Sequence, residues 1–261
     1  MLTEAVIKEI SANLLSAEYK RLPTDPLTAT YPGIEVADAY QIQTATLAAK
    51  LERGENLIGR KIGLTSRAAQ MQFGLNEPDC GFLSDRMLLF DGDPVPLSNL
   101  IQPRAEAEIA FILGKDLKGP GVNSLMVLQA TLAVTASIEV IDSRIRDWAI
   151  KVADTIADNA SGARVILSEA SKSPEGLDLK HLGMNLSGNG QLVATATGAS
   201  VMGHPARAVA WLANKLSEFS LHLRAGDIVI SGALTAAIRV AKGDVVSASF
   251  GSLGTVSTRF E

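Results

Sequence analysis

The chain is poor in several residues on which folds and active sites often rest. It carries 1 cysteine in 261 residues, Cys80. That excludes an internal disulfide framework and a cysteine-built zinc site. Of its 3 histidines, His181 and His222 show no metal-ligand spacing, and His204 precedes a helical stretch, where it reads as a cap or surface residue. The formal net charge of −4 comes with no basic block, which argues against nucleic acid as a partner. No apolar run approaches eighteen residues, so no membrane span is expected. The opening MLTEAVIKEI carries acids early and lacks a signal-peptide layout, so a reducing, cytoplasmic setting is expected. There is no glycine-rich phosphate or dinucleotide fingerprint, no G-x-S-x-G elbow, no internal repeat and no low-complexity tract. What remains is a chain with 47% hydrophobic residues, enough for a sizeable core in one large domain.

The chemistry concentrates between Ile101 and Ser161. IQPRAEAEIAFIL alternates with period two, so Arg104, Glu106, Glu108 and Ala110 share one face of a strand and Ala105, Ala107, Ile109 and Phe111 the other. Glu139 sits in a second apolar run, Ser137 to Ile141. Acids on an alternating strand are most often its solvated face. Three carboxylates drawn into apolar strands are instead costly unless a cation neutralises them, and Mg²⁺ with oxygen ligands suits that task. Further on, DSRIRDW offers Arg144 and Arg146, which either clamp an anionic substrate or pair with Asp142 and Asp147. Asp158-Asn159-Ala160-Ser161 either lines a polar pocket or forms an ordinary Asx-type turn.

The flanking segments supply the frame. Thr3 to Tyr19 has a helical stripe of Ala5, Val6, Ile10, Leu14 and Leu15, with Thr3 as cap. RLPTDPLTATYPG is an extended connector. Val36 to Arg53 is a second helix with Ala37, Tyr40, Thr44, Leu47, Ala48 and Leu51 buried, stopped by Gly54. Leu57 to Leu64 is a short strand in which Lys61 is either an edge charge or an active group. Ser66 to Phe73 gives one or two helical turns, and NEPDCG places Asp79 on a loop. Ser124 to Ala136 reads as a helix capped by Ser124. Gly188-Asn189-Gly190 signals a hairpin, and HPARAVAWLANKLSEFS is one amphipathic helix with Pro205 at its start. The closing segment is a series of short strands with glycine corners, which suggests a closed or rolled sheet.

In order, GRKIGLTS, EPDCGFLSDRM, IQPRAEAEIAFIL, IEVIDSRIRDW, DTIADNAS, GHPARAVAWLANKL and AGDIVISGAL with KGD resemble the hydratase/decarboxylase branch of the fumarylacetoacetate hydrolase superfamily. The resemblance implies an α+β fold, a mixed β-roll or barrel-like sheet with N-terminal helices packed outside. It implies a helical region over 1–56 and a catalytic roll over 57–261, folding as one unit. It implies that Glu106, Glu108 and Glu139 bind Mg²⁺ or Mn²⁺ and that Lys61 and Asp79 sit at the reacting centre; Ser161, Arg144 and Leu64 are the candidate substrate contacts. The implied activity is metal-dependent hydration of 2-hydroxy-2,4-dienoates to 4-hydroxy-2-oxo acids, in meta-cleavage catabolism of aromatic compounds. A 4-oxalocrotonate-type decarboxylation is the alternative, and a non-catalytic partner subunit is the alternative from another class. The resemblance further implies a homo-oligomer, with a complex to a downstream aldolase or a sister decarboxylase as a further partner. Two departures stand out. Thr235-Ala236-Ala237 is closer to the decarboxylases, and Cys80 replaces an aromatic residue, which suggests a wider pocket and a longer substrate.

Overall fold

The N-terminal stripes form two long helices, α1 (Glu4–Lys20) and, after a short α2 (Leu27–Thr30), α3 (Val36–Glu52). The structure is a computed structural model that describes residues 1–72, 74 and 76–261; the expected helix end at Phe73 lies outside them. The Thr3 side chain accepts from Val6 N, capping α1 as expected. Ile7, Ile10, Leu14 and Leu15 are buried along α1, whereas Ala5 is exposed. The buried face of α3 departs further from expectation. Ala37, Thr44, Ala48 and Leu51 are exposed, and the inward face carries Asp38, Gln43, Thr46 and Lys50 beside Ala39, Tyr40 and Ile42. Polar groups are tolerated there because each has a partner. Gln43 Nε2 donates to the carbonyls of Cys80 (2.9 Å) and Ile156 (2.8 Å), and Thr46 Oγ1 donates to Ser11 Oγ (3.0 Å).

The remaining elements follow in order: β1 (Leu57–Gly63), α4 (Arg67–Gln72), β2 (Asp79–Ser84), β3 (Leu88–Phe90), β4 (Arg104–Leu113), α5 (Ser124–Ala130), β5 (Thr131–Ile141), α6 (Val152–Ala157) and β6 (Gly162–Lys172). Then come β7 (Gly183–Gly188), β8 (Gln191–Thr197), α7 (Pro205–Ser217), β9 (Ile228–Ile230), β10 (Ile238–Arg239), β11 (Val245–Phe250) and β12 (Gly254–Arg259). Among the described residues, eight strands make one curled mixed sheet, ordered β2-β1-β9-β4-β5-β6-β3 with β10 on β4. A second sheet, β12-β11-β7-β8, packs against β5 and β6. Phe250, Val256, Phe260 and Leu186 bury its apolar positions. Asn189 and Gly190 turn the β7–β8 hairpin with φ of 51° and 77°, the geometry of a two-residue primed turn.

Three local expectations are corrected. The run from Ser124 is helical only to Ala130, capped by Asn123 Oδ1, which accepts from Met126 N. Thr131 to Ala136 joins β5 instead, because its pairing with β4 and β6 satisfies the backbone that a longer helix would leave outside the sheet. Asp79 is no loop residue: it opens β2 opposite Gly63. Cys80 points to the opposite face, with Sγ 3.8 Å from the Tyr40 hydroxyl, so its small size widens no substrate pocket. His204 caps α7 as expected, its Nδ1 accepting from Ala206 N. No described helix is long and apolar enough to cross a membrane.

Asp38 fastens the N-terminal layer. Its carboxylate accepts from Leu2 N (2.7 Å) and from Glu35 N (3.0 Å), tying the chain start to the first turn of α3 at a fully buried position. Truncating Asp38→Ala is expected to cost about 1–2 kcal/mol, the value of a lost cap and its orphaned donors. Urea unfolding of the two proteins checks this, and an unchanged midpoint contradicts it.

Candidate active site

The β4–β5 ladder sets Glu106 directly opposite Glu139 and Glu108 opposite Ser137. Residues two apart on a strand share a face, so the register gathers the three glutamates on one side of the sheet. One carboxylate oxygen from each lies within 4.8 Å of the others. Glu108 and Glu139 are 0% exposed, while Glu106 borders a cavity of about 540 Å³. Glu108 Oε2 accepts from Gly232 N at 2.6 Å. Gly232 has φ of 109°, and a Cβ there would come within 2.4 Å of Thr65, so only glycine brings this N–H to the carboxylate.

Two and three strands from β4, β1 supplies Lys61 and β2 supplies Asp79, on the same face as the acids. Lys61 is 3% exposed; Nζ donates to the Ala160 carbonyl (2.8 Å) and stands 3.1 Å from Glu139 Oε2 as an ion contact. Four carboxyl groups therefore crowd one ammonium. Burial alone lowers the Lys61 ammonium, but Glu139, Asp79, Glu106 and Glu108 outweigh it and hold it above the ordinary lysine value. Burial pushes Glu106 and Glu108 above the carboxylate range, and their acidic neighbours add to it. Glu139 is raised by burial against the pull of Lys61. Asp79 is pushed up to about 6 by burial, opposed by Lys61 and reinforced by Glu139.

The donor set fits a hard divalent ion. Glu108 Oε1 and both Glu139 oxygens have no hydrogen-bond partner although fully buried, as do Asp79 Oδ1 and Ser161 Oγ. Buried polar atoms nearly always have one, and oxygens converging from three carboxylates are what Mg²⁺-type ions take.

The structure brings Lys61, Asp79, Glu106, Ser161 and Leu64 to the walls of the same cavity, with Glu108 and Glu139 behind Glu106. It does not bring Arg144 there. That guanidinium is buried on the far side of the Asn159–Ser161 segment, ion-paired with Asp158. Arg144 as an anion clamp in the cavity is thus corrected, because it does not border that cavity and four of the five N–H groups of its fork are bonded to Asp158, Asp142 and Gly162. Arg146 pairs with Asp25 at the surface (3.1 Å), away from Asp147. Two wall residues were not singled out from sequence. Arg104 stacks its guanidinium 4.2 Å over the Trp148 ring, and both border the cavity. The signal was available, since Arg104 precedes Glu106 by two on the alternating strand. Thr235-Ala236-Ala237 also borders the cavity.

A family model described as the fumarylacetoacetate hydrolase C-terminal region matches residues 57–261. The chain is 43% identical over 254 residues to a 2-keto-4-pentenoate hydratase of Paraburkholderia xenovorans, covering 97% of this chain and 94% of the relative. It is 45% identical over 237 residues to a 2-hydroxyhexa-2,4-dienoate hydratase of Comamonas testosteroni, covering 90% of each. The solved structure of 4-oxalocrotonate decarboxylase from Pseudomonas putida G7, complexed with magnesium and adipate, superposes with a TM-score of 0.98 at 38% identity, over 100% of this chain and 99% of that one. With the match running through both sheets and across the acidic strand pair, the chain belongs to the fumarylacetoacetate hydrolase family.

Proposed function

We propose that the protein is a hydro-lyase that adds water to 2-hydroxy-2,4-dienoates of the 2-oxo-4-pentenoate type, giving 4-hydroxy-2-oxo acids. The observation that carries this reading is the convergence of three buried carboxylates, with orphaned oxygens, beside Lys61 and Asp79 in one cavity. Named relatives with hydratase activity support it. Glu106, Glu108 and Glu139 would hold Mg²⁺ or Mn²⁺, which when bound supplies Lewis acidity toward the carboxylate and 2-oxygen of the substrate.

The chain's own groups do the rest. Hydration needs a proton delivered at C5, water added at C4 and a proton returned at C3, so that one water is consumed and the 2-oxo group is released from its enol. Asp79, poised near 6, holds or gives a proton close to neutrality. The Lys61 ammonium, fixed between Ala160 O and Glu139, places a permanent positive charge against developing enolate charge. Ser161 and Leu64 border the same space and orient the substrate. Decarboxylation of a 4-oxalocrotonate-type acid is the second reading. It is favoured by the close superposition on the Pseudomonas putida decarboxylase and by Thr235-Ala236-Ala237 on the cavity wall. A cytoplasmic homo-oligomer, able to associate with a downstream aldolase or a sister decarboxylase, completes the proposal.

Incubation with 2-hydroxypenta-2,4-dienoate and with 4-oxalocrotonate, each with Mg²⁺, separates the two reactions. Loss of dienoate absorbance with formation of the 4-hydroxy-2-oxo acid is expected; CO₂ from the second substrate with no hydration of the first reverses the assignment. Glu106→Gln is expected to fold normally and to lose about 10²-fold or more in metal-dependent turnover. Near-wild-type activity in that variant removes the metal centre from the mechanism.

The raised carboxyl groups also set a pH dependence. In the metal-free protein they bind protons that the unfolded chain releases, so their contribution to stability is present at low pH and fades as pH rises through the shifted values. Lys61 is charged in both states across this range and adds no slope. Binding of a dication displaces those protons, so apparent Mg²⁺ affinity is expected to increase from about pH 5 to pH 8 with proton release. Calorimetry in buffers of different ionisation heat measures it; a pH-independent affinity without proton release contradicts it.

A further inference from the structure

Arg144 lies outside the cavity, is only 5% exposed, and forms one of the most heavily bonded side chains in the molecule. Its backbone N donates to Asp158 Oδ2 (2.8 Å) and its Nε to Asp158 Oδ1. Nη2 donates to the Asp158 carbonyl, while Nη1 donates to the carbonyls of Asp142 (2.6 Å) and Gly162 (3.2 Å). Asp158 and Gly162 are the residues immediately before and after the segment Asn159-Ala160-Ser161.

That segment has an unusual backbone. Asn159, Ala160 and Ser161 have φ of 55°, 46° and 58°, three consecutive non-glycine residues in the left-handed region. L-residues visit it singly as a rule, so a run of three persists only where its surroundings over-determine it. The Asn159 side chain meets β2 at both backbone groups of Phe82: Oδ1 accepts from Phe82 N (2.7 Å) and Nδ2 donates to Phe82 O (3.0 Å). β2 comes so close here that a Cβ on Gly81 would lie 2.7 Å from Asn159 O. Ser161 O accepts from Asp142 N (2.7 Å). On the inner side the turn presents Ser161 to the cavity and the Ala160 carbonyl to Lys61 Nζ.

We propose that Arg144 is a positioning residue for the reaction: its guanidinium grips both ends of the Asn159–Ser161 turn and thereby fixes the carbonyl that sets the Lys61 ammonium against Glu139. The proposal rests on the functional reading above, in which Lys61 works at the reacting centre. A planar five-donor fork is required because the acceptors lie in several directions around one centre: the Asp158 carboxylate and carbonyl on one side, the Asp142 and Gly162 carbonyls on the other. Lysine brings the same charge as a single point and cannot span them. With the clamp loosened, the turn relaxes toward ordinary φ values and the Ala160 carbonyl leaves its position over Lys61. The acidic strands β4 and β5, which carry the three glutamates, are held by their own ladder and stay in register.

The test uses Arg144→Lys and, as an isosteric partner change, Asp158→Asn, each checked for folding by circular dichroism and thermal melting. In both, kcat with Mg²⁺ is expected to fall about 10²-fold, the cost of a misplaced reacting group, while KM and calorimetric Mg²⁺ affinity remain near wild type. Hydrogen exchange across residues 158–162 is expected to quicken, and the Lys61 Cε resonance to move. A raised KM at unchanged kcat would mark Arg144 as a direct substrate contact and overturn the proposal. Wild-type kcat in both variants overturns it equally, as does unaltered exchange and Lys61 resonance. If the wild-type protein hydrates no dienoate, the functional reading fails on its own, and exchange with the Lys61 resonance decides this one.

Discussion

Everything in the site depends on one pairing: Glu106 facing Glu139 across an antiparallel ladder, inside the protein. Like charges opposite one another destabilise a sheet, and burial multiplies the cost. Here the pair is flanked by Glu108 on the same face and opposed by one ammonium, Lys61. The bare protein answers the excess negative charge in two ways: it raises the carboxyl groups' proton affinity, and it leaves several of their oxygens free of hydrogen bonds. Both responses leave a centre ready to exchange protons for a dication. The outer packing serves this arrangement. The second sheet covers β5 and β6, α7 lies against β1, and α3 and α6 are tied to β2, the strand of Asp79, by Gln43, which donates to the carbonyls of Cys80 and Ile156.

The strand pattern of this centre was legible because a period of two is local. Arg104, Glu106 and Glu108 share a face by spacing alone, and Glu139 sits in an apolar run that leaves little room for solvent. Their meeting was legible only through resemblance to a family, since register between β4 and β5 is a property of the pair. The same limit explains what was misread. Thr131 to Ala136 follows a true helix and is apolar enough to continue it; only its neighbours β4 and β6 make it a strand. On α3 the apolar stripe pointed to the wrong face, because Asp38, Gln43 and Thr46 are buried by virtue of partners 30 or more residues away. Cys80 was assigned to the pocket by adjacency to Asp79, whereas alternation along β2 turns it toward Tyr40.

Arg144 shows a related gap between residue type and role. From sequence, an arginine beside an acidic cluster and a tryptophan reads either as an anion clamp or as one half of a local ion pair. It is neither a cavity residue nor paired with the nearest acid. Its carboxylate is Asp158, and its bonds to Asp142 and Gly162 go to backbone carbonyls. Burial pushes Asp158 up to about 6 even beside this guanidinium. A charge placed there does mechanical work on a strained turn, and the turn in turn carries the carbonyl that accepts from the Lys61 ammonium.

The choice between adding water and losing CO₂ then falls to the cavity's remaining walls. The Lewis acidity that a dication would supply to a 2-oxo acid would serve both reactions, because each passes through a delocalised enolate. What differs is the far end of the substrate: a decarboxylase must house a second carboxylate. The cationic side chains bordering the cavity, among the described residues, are Lys61 and Arg104. Lys61 is buried with its ammonium on the Ala160 carbonyl and 3.1 Å from Glu139, so its charge is held at the acidic cluster. Arg104 is stacked on Trp148 at the border, a cation whose guanidinium forms no ion pair among the described residues. Elsewhere on the wall Ala68, Ala69, Ile150, Ala236 and Ala237 offer carbon, and Thr65, Ser66, Thr155 and Thr235 offer hydroxyls. The apolar part of this wall suits a short alkyl end, whereas a second carboxylate would need Arg104 or the wall hydroxyls to satisfy it. The cation on that wall with which a second carboxylate would pair is Arg104, the arginine that opens the acidic strand.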